Sequence, residues 1–493
     1  MYTLTISRVT LDNLQLNASI FTSSENSEIY FIPTATIDLL LKRISADSEL
    51  NNITYIQNVL ELVSYIVRHN NQPISSSKLK CIVAQYQEIL TSYNRTFIDK
   101  RKPYSDKTCF TYILRHIDEW SFVLLEKSDN DSIKTFTNEL DENHPANNDN
   151  YIYTLCNAQI DAQSAIMANY ELLKLKPFEI HSSLNHGPIT ISSFVSRVNS
   201  ILCFKNHRYI KKGKNTNRIF SSFILDRISR KYITLNNQPF YEIDIKNCQP
   251  LLLAVLLLSN KYPVDQQYIK DVVSGVFYTK FQETACFMQI ESESIFNTDT
   301  KKLDTYYFSD YDSVKQLIYR SVLFGCKDSN VSNTSKIFQT LYPQTYDSCI
   351  KINNDISLAL TLQNKEAEVI FSVIPNCYYY TVHDAIYVVD KKELSIIQKM
   401  LNKIIYKLSN ELIDDIQYKI QNNGPIYFIT EVFENEEPQK ITIERKRKIS
   451  KPYESKTKRL EEFRELFCKL DKKTLIETMN ISEKTYTRYK KQL

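Results

Sequence analysis

Two carboxylates stand out because each sits in an apolar, strand-forming neighbourhood, where an unpaired charge is costly. Asp244 lies in Phe-Tyr-Glu-Ile-Asp-Ile, residues 240–245. Period-two alternation puts Tyr241, Ile243 and Ile245 on one face and Glu242, Asp244 and Lys246 on the other. Asp384 lies between Tyr-Tyr-Tyr-Thr-Val-His and Ala-Ile-Tyr-Val-Val, a strand–turn–strand pattern with the carboxylate at the turn. Two such strands side by side would bring both carboxylates to one point. Oxygen ligands of this kind suit Mg²⁺, which keeps waters and shares substrate phosphates. Two ions about 3.5–4 Å apart would activate a hydroxyl and stabilise a leaving pyrophosphate. Either aspartate alone reads more simply as a turn or hydrogen-bonding residue, so the reading rests on the pair.

Composition narrows the alternatives. The 493 residues include only 5 glycines, which excludes a P-loop or a Rossmann fingerprint, since both need clustered glycines. A bound triphosphate must then be held by metals and basic side chains. The 10 cysteines form no C-x-x-C pair, against a zinc ribbon and in favour of free thiols in a reducing compartment. The net charge of +4 is small, so nucleic-acid binding requires local basic patches. The opening residues lack a secretory pattern, and the longest apolar run, Pro250–Leu258, is too short to span a bilayer. The expectation is a cytoplasmic protein with no membrane partner.

The elements that must position the carboxylates read as follows. Residues 1–128 form a mostly helical region of open role, with Ala35–Ala46 and Ile53–His69 the clearest helices. Residues 129–150, acidic and Asn-rich, read as a linker. Residues 151–436 carry the chemistry. There a basic stretch containing Lys211, Lys212, Lys214, Arg218, Arg227 and Arg230 precedes the Asp244 strand. It is placed to track phosphates; the alternative is a solvated loop. Gln249–Leu258 continues as a helix, Asp312–Gly325 forms another capped by Asp312 or Ser313, and Gln363–Ile374 lies on a third. Residues 437–457 read as a charged linker. Residues 458–493 read as helix–turn–helix: Leu460, Phe463, Leu466, Phe467 and Leu470 share a helical face, Asn480 turns, Ser482 caps, and Lys484 and Arg488 lie on the second helix. That module either binds DNA or packs on a protein.

The order of these segments from about Asn215 to Val389 resembles the family A right-hand polymerases, which include bacterial and phage DNA polymerases and single-subunit phage-type RNA polymerases. Asn217-Arg218-Ile219-Phe220-Ser221-Ser222 resembles T-G-R-L-S-S, which grips the primer–template backbone. Asp244 falls at the first palm aspartate. Lys315-x-x-x-Tyr319 resembles K-x-x-x-F/Y of the fingers helix, whose Lys binds triphosphate and whose ring packs on the incoming nucleotide. Gln363–Ile370 resembles Q-G-T-A-A-D-I-I, whose Gln contacts nucleic acid, and Val382-His383-Asp384 resembles V-H-D-E, with the His near the primer terminus. The resemblance implies an α+β right-hand fold with an antiparallel palm sheet, helical fingers and thumb, and two Mg²⁺ ions on Asp244 and Asp384.

The departures locate the open choices. Asn217 replaces the family's Gly, and Ala385 replaces its final Glu, closer to the H-D-S of the RNA polymerases. Arg320 and Phe324-Gly325 offer a second phase for the fingers helix, so Lys315 and Arg320 compete for the triphosphate. Gln249 stands where the DNA polymerases place a Glu that blocks the ribose 2′-hydroxyl; an amide can block or hydrogen-bond that group. Taken singly, Tyr378–Tyr380 read as core and the histidines other than His383 as structural. The expectation is a compact DNA polymerase without proofreading, acting on a DNA template with nucleoside triphosphates, in a setting such as phage, plasmid or mobile-element replication. The rivals are a single-subunit RNA polymerase and a non-catalytic DNA-binding replication protein with a degenerate palm.

Overall fold

In the computed structural model, Gln238–Ile245 forms a strand in the middle of a six-stranded sheet. Its Phe, Tyr and Ile side chains suit a pleated, packed surface. The strand pairs antiparallel with Ala385–Val388, which returns through His383 and Asp384 from Tyr379–Val382. It also pairs antiparallel with Tyr418–Asn423. Ile233–Leu235 forms a hairpin with its start and joins Gln159–Ile160. All these pairings are antiparallel, as expected for an α+β fold. Tyr379 and Tyr380 are buried, in line with the core reading, and Tyr380 stacks on Phe223 and Tyr387 at 3.9 and 4.4 Å between centroids.

The structure describes residues 2–443 except 13, 15, 22–26, 47–52, 70–72, 85, 94–97, 102–108, 115–118, 128–135, 178, 298–301, 326–331 and 427–437; beyond 443 it describes 463, 467, 472, 474 and 483–490. The chain divides into two compact units, Met1–Glu444 and Arg445–Leu493.

Directly after the central strand, Cys248–Ser259 forms a helix buried on every side from Cys248 to Leu257. A helix apolar all round belongs inside a core. The helix Leu358–Phe371 packs against it. Among the described residues no helix is long and apolar enough to cross a membrane.

The first 128 residues depart from the helical expectation. The helices Thr34–Ala46 and Ile53–Arg68 are present. Between and around them, however, Tyr2–Thr10, Glu119–Lys127 and Ser27–Pro33 build an antiparallel sheet completed by Gln439–Ile443. Pro73–Ser75, Cys109–Leu114 and Ile98–Arg101 form a second sheet. Ser27–Pro33 is buried along its whole length, so it shows no alternation by which a strand could be recognised.

Both expected linkers also contain ordered elements. Phe136–Glu139 pairs parallel with Arg208–Lys212, and Gln439–Ile443 is the sheet strand just described. A boundary at residue 151 would cut a core, because the N-terminal sheet shares its buried cluster with the helices Ala162–Lys174 and Ile191–Asn206. In the second unit, Phe463 is buried against the rings of Phe467, Tyr486 and Tyr489. Leu460, Leu466, Leu470, Asn480 and Ser482 lie outside the described residues.

Candidate active site

The strand register brings the two aspartates together. Asp244 is paired with Ala385, the residue that follows Asp384. His383 and Asp384 form the two-residue link between paired Val382 and Ala385. His383 has a φ of 54°. A left-handed conformation costs a non-glycine residue roughly 1–2 kcal/mol, so backbone strain is held at the turn that presents Asp384.

Burial pushes the Asp244 carboxyl up to about 7, helped by the charges of Asp384 and Glu242 and opposed by Lys315 and Lys419. Among the described residues, neither Asp244 nor Asp384 is taken up by a hydrogen bond or an ion pair. Two adjacent, repelling oxygen donors of this kind fit a divalent cation, which would favour the ionised form.

A second set of metal-type ligands lies in the N-terminal core. Glu28, Glu61 and His207 bring their ligand atoms within 4.8 Å of one another. Glu28 already accepts hydrogen bonds from Tyr30 and Gln57. Sequence spacing does not reveal this group, because its members come from three distant segments.

Lys315 and Arg320 are placed differently. The α-helix Tyr311–Ile318 is capped by Asp310 and passes into a π-helical turn, Tyr319–Leu323. The cap is therefore neither Asp312 nor Ser313. The Lys315 ammonium lies 5.8 Å from the centroid of the Tyr319 ring, and Tyr319 stacks on Phe324 at 5.5 Å. The extra residue of the π turn thus lets Lys315, Tyr319 and Phe324 form one aromatic-lined face, although 319 and 324 are out of α-helical phase. Lys315 also reaches Asp244 with its charge. Arg320 instead lies 5.3 Å from the Tyr306 ring, on the hairpin strand Lys302–Tyr307. Gly325 closes the π turn: a Cβ there would come within 2.1 Å of the Arg320 carbonyl oxygen.

Arg218 and Gln249 meet at a residue that sequence reasoning missed. Both donate to Oε2 of Glu366, Arg218 at 2.5 Å. The Glu366 side chain is 2% exposed. Burial and then the Asp384 charge push its carboxyl up to about 7, while Arg218 and Gln249 pull it down. Its only sequence signal is that a carboxylate occupies the fourth position of Gln363–Ile370, where the resembled segment has Ala. The backbone N–H of Asn217 donates to Asn364 Oδ1 at 2.7 Å, so the Asn217–Arg218 loop is fastened to the same helix. Beside this junction is a cavity of about 610 Å³ lined in part by Asn217, Asn260, Tyr262, Asn364 and Lys365.

The remaining candidates are more dispersed. Gln363 is half-buried on the Glu366 helix, and His383 is exposed at its turn. Lys211 lies 5.6 Å from the Tyr209 ring centroid, and Lys212 is exposed on the same strand. Arg227 is exposed and donates to Gln421 at 2.8 Å. Arg230 is turned inward, donating to the Leu225 carbonyl and lying 5.6 Å from the Tyr387 ring, so it braces the sheet. Lys484 and Arg488 belong to the helix Glu483–Lys490, but their side chains lie outside the described residues.

No family model matches the chain, and no curated protein matches it. Among solved structures, it is similar to the POL domain of Pol1 from M. smegmatis in complex with DNA primer-template and dNTP. The identity is 10% and the TM-score 0.26, over 56% of this chain and 68% of that one. A likeness that slight carries no argument about function.

Proposed function

We propose that this chain is a template-directed nucleotidyltransferase that holds two Mg²⁺ ions on Asp244 and Asp384 and extends a primed DNA template with deoxynucleoside triphosphates. The observation that carries the reading is the register setting Asp244 against Ala385, beside Asp384. Support comes from Lys315, whose ammonium lies by Tyr319 and within reach of Asp244's charge. In this reading Lys315, not Arg320, takes the triphosphate, and Tyr319 meets the incoming nucleotide. Arg218, Gln363 and His383 face the primer–template, with Lys211, Lys212 and Arg227 as further phosphate contacts. Bound Mg²⁺ would supply charge neutralisation for a triphosphate and activation of a hydroxyl. The protein's share is to hold the two carboxylates side by side and to orient the reactants.

The test is extension of a labelled primer–template in Mg²⁺ with dNTPs or rNTPs. Wild type extends with dNTPs; Asp244→Asn and Asp384→Asn do not, yet bind the DNA as wild type does in fluorescence anisotropy. Preference for rNTPs would replace the sugar assignment with an RNA polymerase. Identical behaviour of wild type and both variants would leave a DNA-binding protein without polymerase activity.

A further inference from the structure

We propose that Glu366 is a positioning residue that sets sugar discrimination by immobilising the Gln249 amide; this rests on the polymerase reading above. Gln249 lies on the first turn of the helix that follows the Asp244 strand and is 4% exposed. One oxygen of Glu366 binds both its Nε2 and the Arg218 guanidinium. Three elements meet there: the loop before the strand Ile219–Ser221, the start of the helix Cys248–Ser259, and the helix Leu358–Phe371.

The Arg218 guanidinium, which can only donate, shares Glu366 Oε2 with the amide, so that oxygen is an acceptor and Gln249 turns its nitrogen towards it and its carbonyl away. Gln249 Oε1, Glu366 Oε1 and Arg218 Nε are buried without hydrogen-bond partners among the described residues. Glu366 is the group that fixes which way the amide faces and which rotamer carries it. A glutamine free to change rotamer is a poor wall against one extra hydroxyl, whereas a fixed one discriminates. The network also borders the reacting centre: Glu366 lies within reach of the Asp384 charge, and Tyr319 within reach of both. That places the network near both the proposed metal ligands and the proposed nucleotide-facing ring. Neither the spacing of Gln249 nor that of Arg218 points to this role, because the partner arrives from a helix 117 and 148 residues further along the chain.

The experiment measures kcat/KM for one dNTP and its matching rNTP on a primed DNA template. It compares wild type with Glu366→Leu, Glu366→Gln, Gln249→Leu and the double variant Gln249→Leu/Glu366→Leu. Glu366→Leu and Gln249→Leu are expected to cut the dNTP-over-rNTP ratio about tenfold. Glu366→Gln keeps most of the ratio, because its carbonyl still accepts from the Gln249 amide. The double variant falls no further than either single one, the mark of residues acting as a unit. An unmoved ratio in Glu366→Leu, with both nucleotides slowed equally, would overturn the inference. Should thermal melting show Glu366→Leu unfolded, an unmoved ratio in Gln249→Leu overturns it instead. A wild type that incorporates neither nucleotide overturns the polymerase reading along with it; a ratio unmoved by the variants overturns this inference alone.

Discussion

Asp244 stands opposite Ala385 in an antiparallel pair, and that register places its carboxylate beside Asp384, with neither ion-paired to a cation among the described residues. Metal binding should therefore compete with protons. The carboxylate must ionise to coordinate, and without metal Asp244 titrates near 7. Mg²⁺ affinity measured by calorimetry is expected to fall about tenfold per pH unit below that value and to level off above it. An affinity constant from pH 6 to 8 would contradict the assignment of Asp244 as a ligand.

The same two raised carboxyls shape stability in the absence of metal. Asp244 and Glu366 both titrate at about 7 when folded, against ordinary values of 3.8 and 4.5. Between those limits the folded state binds more protons than the unfolded one, so stability falls as pH rises through the window. The cost is absent below the unfolded values and complete above about 7. The melting temperature of the metal-free protein should drop from pH 5 to pH 7.5 by more than that of Asp244→Asn. Added Mg²⁺ should raise it more at pH 7.5 than at pH 5. The opposite ordering would show that burial is not what raises these groups.

Lys315 and Arg320 separate two readings of one helix. Lys315 sits by Tyr319 and within reach of Asp244's charge, whereas Arg320 packs on Tyr306. Lys315→Ala should lower kcat/KM for nucleotide by about 10²-fold, the scale of losing one charge contact in a transition state. Arg320→Ala should change it less than about threefold, since its guanidinium packs on the Tyr306 ring and is not among the charges that act on Asp244. Steady-state primer extension decides, and a larger loss in Arg320→Ala would reverse the assignment.

Much of the central sheet was legible because its signals are local. Alternation in Gln238–Ile245 and the β-rich runs flanking His383 and Asp384 announced strands, and an antiparallel register did the rest. The N-terminal sheet was hidden because its pairings are remote: Tyr2–Ile6 is matched to Gln439–Ile443, at the other end of the unit. Glu366 was hidden for a related reason. Its helix shows the right period, but what buries it is a pair of donors more than a hundred residues earlier. The π turn escaped because reading Lys315 with Tyr319 and Arg320 with Phe324 assumes an unbroken 3.6 period.

That π turn gives the last test. Gly325 is the residue at which its chain closes, and a methyl group there would meet the Arg320 carbonyl oxygen at 2.1 Å. A backbone oxygen cannot rotate aside as a side chain would, so Gly325→Ala must open the turn. Overpacking of this kind costs about 1–3 kcal/mol. Opening it also lets Phe324 leave the Tyr319 ring, whose stacking depends on the inserted residue. Gly325→Ala is therefore expected to lower the melting temperature and raise KM for nucleotide more than it lowers kcat. Deleting one residue from within 320–323, which would return the segment to α-helical phase, should restore the stacking in the Gly325→Ala background. If the alanine variant matches wild type in melting and KM, the π turn is not what aligns Lys315, Tyr319 and Phe324.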